Sequence, residues 1–100
     1  KVMQFGDNNE LALRLNGNSN LIGVYQQGNN NIMNLNYTTS SATLYASQTG
    51  GQNTANITVT GDSIYDYTLN FTQDGSDTCT YSFNRNTQSA DVTATVANGC

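Results

Sequence analysis

Apolar and polar residues alternate along the first sixty residues, in short runs that recur at every eleventh position. Set out at that interval, two columns hold apolar residues in five successive arcs, while polar or small residues such as Arg14, Asn36 and Thr58 lie between them. Alternation with a period of two predicts half-buried β-strands. These two columns form the predicted inner core, which consists of Leu11, Leu13, Ile22, Val24, Met33, Leu35, Leu44, Ala46, Ala55 and Ile57.

Turn signals separate these predicted strands at the same interval. A glycine is followed three positions later by an asparagine in each arc up to Asn53, except where Thr39 and Ala42 take those places. Glycine adopts the positive φ that a tight turn needs, and asparagine is compatible with turn backbone. Helices are not expected, because Gly, Asn and Thr crowd every window and no helical period appears.

Two successive arcs make one coil, so the sequence repeats in full at every twenty-second position, as from Gln4 to Gln26. Stacked coils would place parallel strands about 4.8 Å apart, with the asparagine and glutamine columns facing inward as ladders in which each amide bonds the amides above and below. We therefore predict an all-β solenoid over residues 1–61. Its predicted ladder and turn residues are Gln4, Gly6, Asn9, Gly17, Asn20, Gln26, Gly28, Asn31, Gln48, Gly50 and Asn53.

The periodicity changes after Gly61. In the same register Asp66 would face inward, and the next Gln-x-Gly begins at Gln73, three positions later than the interval from Gln26 to Gln48 would place it. Residues 62–100 are predicted to form three strands in a different arrangement, with turns at "QDGSD" and "NRNTQ". We interpret this segment as a cap, a docking element or strands exchanged with a neighbour, because solenoid ends need covering unless they polymerise.

The composition favours stacking of identical units. Only 10% of the residues are charged, 36% are hydrophobic, and there is no Pro, His or Trp. A chain rich in Asn and Gln with little charge and no Pro is typical of cross-β assemblies. Residues 1–60 are neutral overall and residues 61–100 carry the whole net charge of −4, so the first part can stack with little repulsion. No basic patch indicates a nucleic acid partner.

The two cysteines, Cys79 and Cys100, both lie in the acidic part. Without any histidine they are interpreted as a disulfide formed in an oxidising compartment, and not as metal ligands. Closing a loop of about 20 residues stabilises a fold by roughly 3 kcal/mol in the chain-entropy model. No membrane-spanning run and no signal peptide are found, so we expect a mature secreted chain.

Two pairs of carboxylates are weighed as candidates for chemistry. Asp62 and Asp66 could act as acid and base, and Asp74 and Asp77 flank a glycine as in a calcium loop. The first pair has no histidine or cleft signal near it, and the second lacks the EF-hand spacing. Both pairs are interpreted as solvated turn charges, and no enzyme activity, metal or cofactor is predicted.

Tyr25 and Tyr45 fall on the outward side of the predicted strands. They could contact carbohydrate or a neighbouring fibre, or they could only pack across strands. The outward residues Arg14, Asn36 and Ser47 make the surface less regular than the flat threonine rows expected of a solenoid that binds ice.

The pattern Gln-x-Gly-x-x-Asn followed by alternating apolar residues resembles the curlin repeat of curli fibre subunits. The match is complete in the arcs that begin at Gln4, Gln26 and Gln48, and degenerate half-repeats begin at Leu15 and Tyr37. The resemblance covers residues 2 to about 61. It implies a bacterial cell-surface subunit that polymerises with itself as a β-solenoid into extracellular amyloid fibres for adhesion and biofilm. A related subunit, or an outer-membrane secretion or anchor protein, would be a further partner.

The cysteine-bearing tail departs from the usual curli subunit and favours a minor subunit or a relative that anchors the holdfast. The leading hypothesis is therefore a structural, self-assembling subunit without catalysis. A protein of a different class, a monomeric capped solenoid that binds a polysaccharide or an ice surface, is the alternative.

Overall fold

The chain folds into two facing sheets of parallel strands in a computed structural model that describes residues 1–76 and 78–97. Short strands joined by turns follow one another along the chain, with one 3₁₀ turn before the last strand. The strands are β1 Val2–Phe5, β2 Glu10–Asn16, β3 Leu21–Gln27, β4 Ile32–Thr38, β5 Ala42–Thr49, β6 Thr54–Thr60, β7 Tyr67–Asp74, β8 Thr78–Asn84 and β9 Val92–Ala97, and the 3₁₀ turn is Arg85–Thr87.

Odd-numbered and even-numbered strands segregate into different sheets. One sheet has the order β1-β3-β5-β7-β9 and the other the order β2-β4-β6-β8, and every pairing is parallel. The chain therefore passes from one sheet to the other at each turn and winds as a β-solenoid of about four coils. This confirms the predicted all-β solenoid with about 22 residues per coil.

The described residues after Gly61 continue the same two sheets, with β7 and β9 in one and β8 in the other. Gln26 pairs with Gln48 at a separation of 22 residues, whereas Gln48 pairs with Gln73 at a separation of 25. The three strands predicted there are present as β7, β8 and β9, but the different arrangement expected for them after Gly61 is wrong. The turn over residues 61–66 is longer and contains the extra residues. The coil is therefore longer, but its strands keep their register with the strands of the previous coil.

The inward columns form the core, as predicted. Eight of the ten predicted core residues are buried, whereas Leu11 is partly buried and Leu13 is 40% exposed. These two differ because β2 belongs to the first coil, which has a neighbouring coil on one side only. The core also contains seven residues outside the predicted set: Tyr37, Ala42, Val59, Tyr67, Leu69, Phe71 and Cys79.

The turns repeat one backbone conformation. Glycine at the first turn position has positive φ, as at Gly28 with φ 112°, and a residue two positions later is also left-handed, as at Asn30 with φ 62°. A Cβ atom at Gly28 would lie 1.9 Å from the carbonyl oxygen of Gly50 in the next coil. Glycine is thus required here both for its φ and for the close approach of stacked turns.

Cys79 is buried in β8, and Cys100 lies outside the described residues. The Cys79–Cys100 disulfide therefore stays a prediction. Within residues 1–76 and 78–97, the structure contains no helix long and apolar enough to cross a membrane.

Candidate functional site

Four glutamines form a continuous ladder inside the solenoid. Gln4 Nε2 donates to Gln26 Oε1 at 2.5 Å, Gln26 Nε2 to Gln48 Oε1 at 2.7 Å, and Gln48 Nε2 to Gln73 Oε1 at 2.7 Å. Gln26, Gln48 and Gln73 are fully buried. The predicted bonding of each amide to the amides above and below is confirmed for this column.

A second bond fixes the direction of the glutamine ladder. Nε2 of Gln26, Gln48 and Gln73 also donates to a backbone carbonyl of the facing sheet, at 3.2, 3.0 and 3.2 Å. Because a carbonyl oxygen only accepts, the NH₂ group must lie on that side. Gln4, Gln26 and Gln48 therefore each donate to the next glutamine toward the C-terminal end of the solenoid.

Gln73 is a ladder residue that the sequence analysis did not include. The Gln-x-Gly signal at Gln73 and Gly75 was visible, but its spacing from Gln48 placed it outside the columns that the earlier repeats define. Because the extra residues lie in a turn, Gln73 keeps its register with Gln48. The spacing along the sequence alone cannot distinguish a longer turn from a change of fold.

The asparagine column bonds mainly to turn backbone. Asn31 Nδ2 donates to the carbonyl oxygens of Gln27 at 3.2 Å and Gly50 at 3.0 Å, and Asn31 Oδ1 accepts from the backbone N–H of Asn53 at 3.2 Å. Asn9 repeats the same pattern one coil earlier. One direct amide-to-amide bond joins Asn53 Nδ2 to Asn31 Oδ1 at 3.1 Å. A ladder of amide-to-amide bonds was expected for the asparagine column. The column consists mainly of side chains that hydrogen-bond the backbone of one turn to that of the next.

Asn20 performs the same clamping at the opposite corner of the coil. Its Nδ2 donates to the carbonyl of Thr39 at 2.7 Å and its Oδ1 accepts from the N–H of Ala42 at 3.0 Å. Ala42 cannot repeat these bonds, and a buried arginine serves this corner instead. Arg85 donates to Thr39 Oγ1 at 2.8 Å and to the carbonyl oxygens of Ser40 and Tyr65. Nothing in the sequence pattern singles out Arg85, because charged turn residues are usually exposed.

Three tyrosines lie together in the interior. The hydroxyls of Tyr67 and Tyr81 are 2.7 Å apart, and the rings of Tyr67 and Phe83 stack with centroids 4.2 Å apart. The Tyr37 hydroxyl is buried and finds no hydrogen-bond partner among the described residues. Burial raises the pKa of both Tyr37 and Tyr67 above the ordinary tyrosine value, with Tyr81 adding to the effect.

At the N-terminal end of the solenoid, no further coil covers the core within the described residues. Val2, Leu13 and Leu15 point inward in the same columns as buried residues of the next coil, yet they are 46%, 40% and 45% exposed. The outer backbone edges of β1 and β2 face no strand among the described residues. This end can accept further strands.

The C-terminal end of the described chain is similar. Apart from the buried Cys79, the inward side chains of β8 and β9 are only partly buried against the core, and they are Tyr81, Phe83, Val92, Ala94 and Val96. Neither β8 nor β9 has a second neighbour within the described part of its sheet. Both ends therefore present apolar side chains together with strand edges.

The outward side of the five-stranded sheet carries a groove of about 360 Å³. Tyr25 and Tyr45 form its walls, and Tyr45 is 50% exposed, in agreement with the outward orientation predicted for both. Gly23 keeps the floor low, since a Cβ atom there would lie 3.4 Å from the Tyr45 ring. Ser47 and Asn70 supply polar groups along the groove.

Asp62 and Asp66, the two carboxylates weighed as acid and base, take part in hydrogen bonds to different turns. Asp62 Oδ1 accepts from the backbone N–H of Ser40 at 2.9 Å, and Asp66 is joined through its own N–H to Asp91 Oδ1 at 2.9 Å. Asp77 lies outside the described residues, so the second pair is not described as a pair.

The fold and the ladders define a parallel, two-sheet β-solenoid whose ends are open in the described residues. No family model matches the chain, and neither the curated proteins nor the solved structures include a match. The resemblance to curlin repeats therefore depends on the residues that carry it, such as Gln26, Gly28 and Asn31.

Proposed function

We propose that this protein is a structural subunit that stacks end to end, in the manner of a curli subunit, into an extracellular fibre or surface anchor on a bacterial cell. The observation that carries the proposal is the pair of open ends. Strand edges and inward apolar residues such as Leu13 and Leu15 are exposed at one end, and partly buried β8 and β9 face outward at the other. Open edges of this kind are templates for pairing with another chain.

The columns of the solenoid support stacking of one copy on another. Extending the sheet of even-numbered strands would place Leu11, Leu13 and Leu15 of one copy against Cys79, Tyr81 and Phe83 of the next, because these residues share inward columns. Apolar side chains would thus meet apolar side chains. Such a contact buries surface that an isolated copy leaves in water.

Electron microscopy and fibre diffraction of the purified chain, with and without reductant, test the proposal. Fibres with a meridional reflection at about 4.8 Å are expected. Leu13→Lys and Leu15→Lys should prevent their formation, because each would bury a charge in the joint. Ile64→Lys is the matched control, since Ile64 is 93% exposed in the turn between β6 and β7. A chain that stays monomeric under all conditions would overturn the proposal.

The groove beside Tyr25 and Tyr45 favours a second function, binding of a polysaccharide. Its volume of about 360 Å³ lies within the range of small-molecule sites, and aromatic walls with a few polar groups are typical of them. Sugar rings present C–H groups that can pack on aromatic faces. Titration with a soluble β-linked glucan oligomer, followed by tyrosine fluorescence, tests this function. Tyr45→Ala should abolish the signal and Tyr65→Ala should not, whereas equal binding by both variants would exclude the groove.

A further inference from the structure

A second groove, of about 290 Å³, lies on the outward side of the four-stranded sheet, away from the sheet that carries Tyr45. It crosses β2, β4 and β6 between two columns of outward side chains. Adjacent strands lie about 4.8 Å apart and alternate residues of one strand about 7 Å apart, so the groove is about 10 Å long and narrow enough for one extended chain. One column is Ala12, Asn34 and Asn56, and the other is Arg14, Asn36 and Thr58.

Arg14 is the one charged side chain that lines this groove, and it is exposed. Its guanidinium group has no hydrogen bond or ion pair to any residue in 1–76 and 78–97. The outward residues of β4, β6 and β8 are all uncharged. Along its own strand the nearest carboxylate is Glu10, four residues away, which is about 13 Å in an extended chain. One end of the groove therefore presents a positive charge that no described side chain neutralises.

The remaining polar groups of the groove offer both donors and acceptors. Asn34 Nδ2 donates to Asn56 Oδ1 at 2.9 Å, which leaves the Asn34 carbonyl oxygen and the Asn56 NH₂ group for a ligand. The side chains of Asn36 and Thr58 have no partner among the described residues. A hydroxyl group can donate and accept at once, so a row of sugar hydroxyls can pair with such a mixed row of amides.

We propose that this groove, called the uronate groove below, binds a uronic acid residue of an acidic polysaccharide, with the carboxylate on Arg14 and the hydroxyls on the amides. The planar guanidinium group can bond both oxygens of a carboxylate. Ala12 leaves room for the sugar ring, because it has no side-chain atom beyond Cβ. The site lies within one copy, so it depends neither on self-assembly nor on the groove beside Tyr45.

The position of the uronate groove separates this ligand from other anions. An acidic peptide that adds to a sheet pairs with the backbone of a strand edge, whereas this groove lies on the face of strands that are already paired. Nucleic acid binding depends on several basic side chains together, and here there is one. One acid group followed by hydroxyls matches one cation followed by amides and a hydroxyl.

An NMR titration of the freshly dissolved, isotope-labelled chain tests the proposal, because the side-chain signals of Arg14 and Asn56 report on this groove alone. The probes are a tetramer of galacturonate, a tetramer of galactose and a tetraglutamate peptide. We expect the galacturonate tetramer to shift both signals, and the other two probes to bind there at least tenfold more weakly. Equal binding of the peptide would show that the groove recognises charge alone, and equal binding of the galactose tetramer that it does not recognise the acid. Either result, or no shift with galacturonate, would overturn the proposal.

Variants at Arg14 test the charge. Arg14→Gln should weaken galacturonate binding at least tenfold, and Arg14→Lys should retain only part of it, because an ammonium group lacks the planar fork. Glu10→Gln is the matched control, since it changes a charge of the same strand outside the groove, and it should alter the affinity less than twofold. Equal affinity of Arg14→Gln and the native chain would contradict the role of Arg14.

A filled groove tests the shape independently of the charge. Ala12→Tyr would occupy the uronate groove and leave Arg14 in place, so galacturonate binding should again fall at least tenfold. Thr38→Tyr adds the same ring on the outward side of β4 beyond the groove, and it should leave binding unchanged. Native affinity in Ala12→Tyr together with a loss in Arg14→Gln would indicate diffuse attraction to an exposed cation and would overturn the site.

Discussion

At the scale of single residues, the interior of this solenoid is unusual in how many polar side chains it accommodates. Gln26, Gln48, Asn31 and Asn53 are buried, and each is bonded within its column or to a turn. A buried amide that is fully bonded costs little, whereas one left without partners costs much. The Tyr37 hydroxyl is the exception in the described chain.

Removing that hydroxyl should stabilise the fold. Tyr37→Phe keeps the ring in the core and deletes a buried group without a partner, so we expect the free energy of unfolding to rise by about 1 kcal/mol. Tyr67→Phe is the matched control, because it removes a hydroxyl bonded to Tyr81 at 2.7 Å and should lower the free energy by a similar amount. Urea unfolding of the reduced monomer measures both, and a loss in Tyr37→Phe would show that its hydroxyl has a partner.

Alkaline pH should destabilise the protein through the same tyrosines. Burial raises the pKa of Tyr37 and Tyr67 in the folded state, so folding holds these protons after the unfolded chain has lost them. Their contribution is complete below about pH 10, where tyrosine ionises in an unfolded chain, and it is lost as the pH rises further, by about 1.4 kcal/mol per pH unit for each. Denaturation series between pH 8 and 11.5 should show this slope, and the double variant to phenylalanine should flatten it.

At the scale of elements, the stacked turns set the spacing of the coils. Gly28→Ala would place a Cβ atom 1.9 Å from the Gly50 carbonyl at a φ of 112°, so the turn must move. We expect a loss of about 3 kcal/mol in the free energy of unfolding. Gly23→Ala is the control within β3, where the nearest atom would be at 3.4 Å and φ is ordinary for an L residue, and stability should stay or rise slightly. Equal losses from both would contradict the role of the turn.

Arg85 joins turns from three coils and should be sensitive even to a conservative change. Arg85→Lys keeps the charge but cannot reach Thr39, Ser40 and Tyr65 together, because an ammonium group lacks the planar fork of a guanidinium. We expect a loss of about 2 kcal/mol in the free energy of unfolding, measured by thermal or urea unfolding. Arg14→Lys, on the exposed side of β2, should change stability by less than about 0.5 kcal/mol.

The fold can be predicted from the sequence only where the repeat length is constant. Through Gly61 the constant spacing of the arcs was enough to assign strand, turn and inward face, because each column repeats the same chemistry. Beyond it, Tyr67, Leu69 and Phe71 lie in the inward columns of β7, but the longer turn before β7 hid which column they join. Arg85 and Tyr37 could not be assigned roles either, since the groups that Arg85 bonds and the Tyr81 side chain that acts on Tyr37 lie in other coils.

At the scale of the whole molecule, stacking depends on columns that continue from copy to copy. Asn31→Asp should slow fibre growth several-fold, because it adds a charge to the stack and removes the two N–H groups that bond Gln27 and Gly50. Asn30→Asp adds the same charge on the exposed outer side of the turn. Fibre growth followed by light scattering should be slowed far less by this control. Unchanged growth in Asn31→Asp would contradict the part assigned to the asparagine column.

The uniform direction of the glutamine bonds has an electrical consequence. Since Gln4, Gln26 and Gln48 all donate toward the same end, their amide dipoles point the same way and add along the axis. A stack of copies in the same orientation would accumulate this moment with length. Long particles in dilute solution would then turn to align with an applied electric field, and two particles lying side by side would attract each other most strongly when they point in opposite directions.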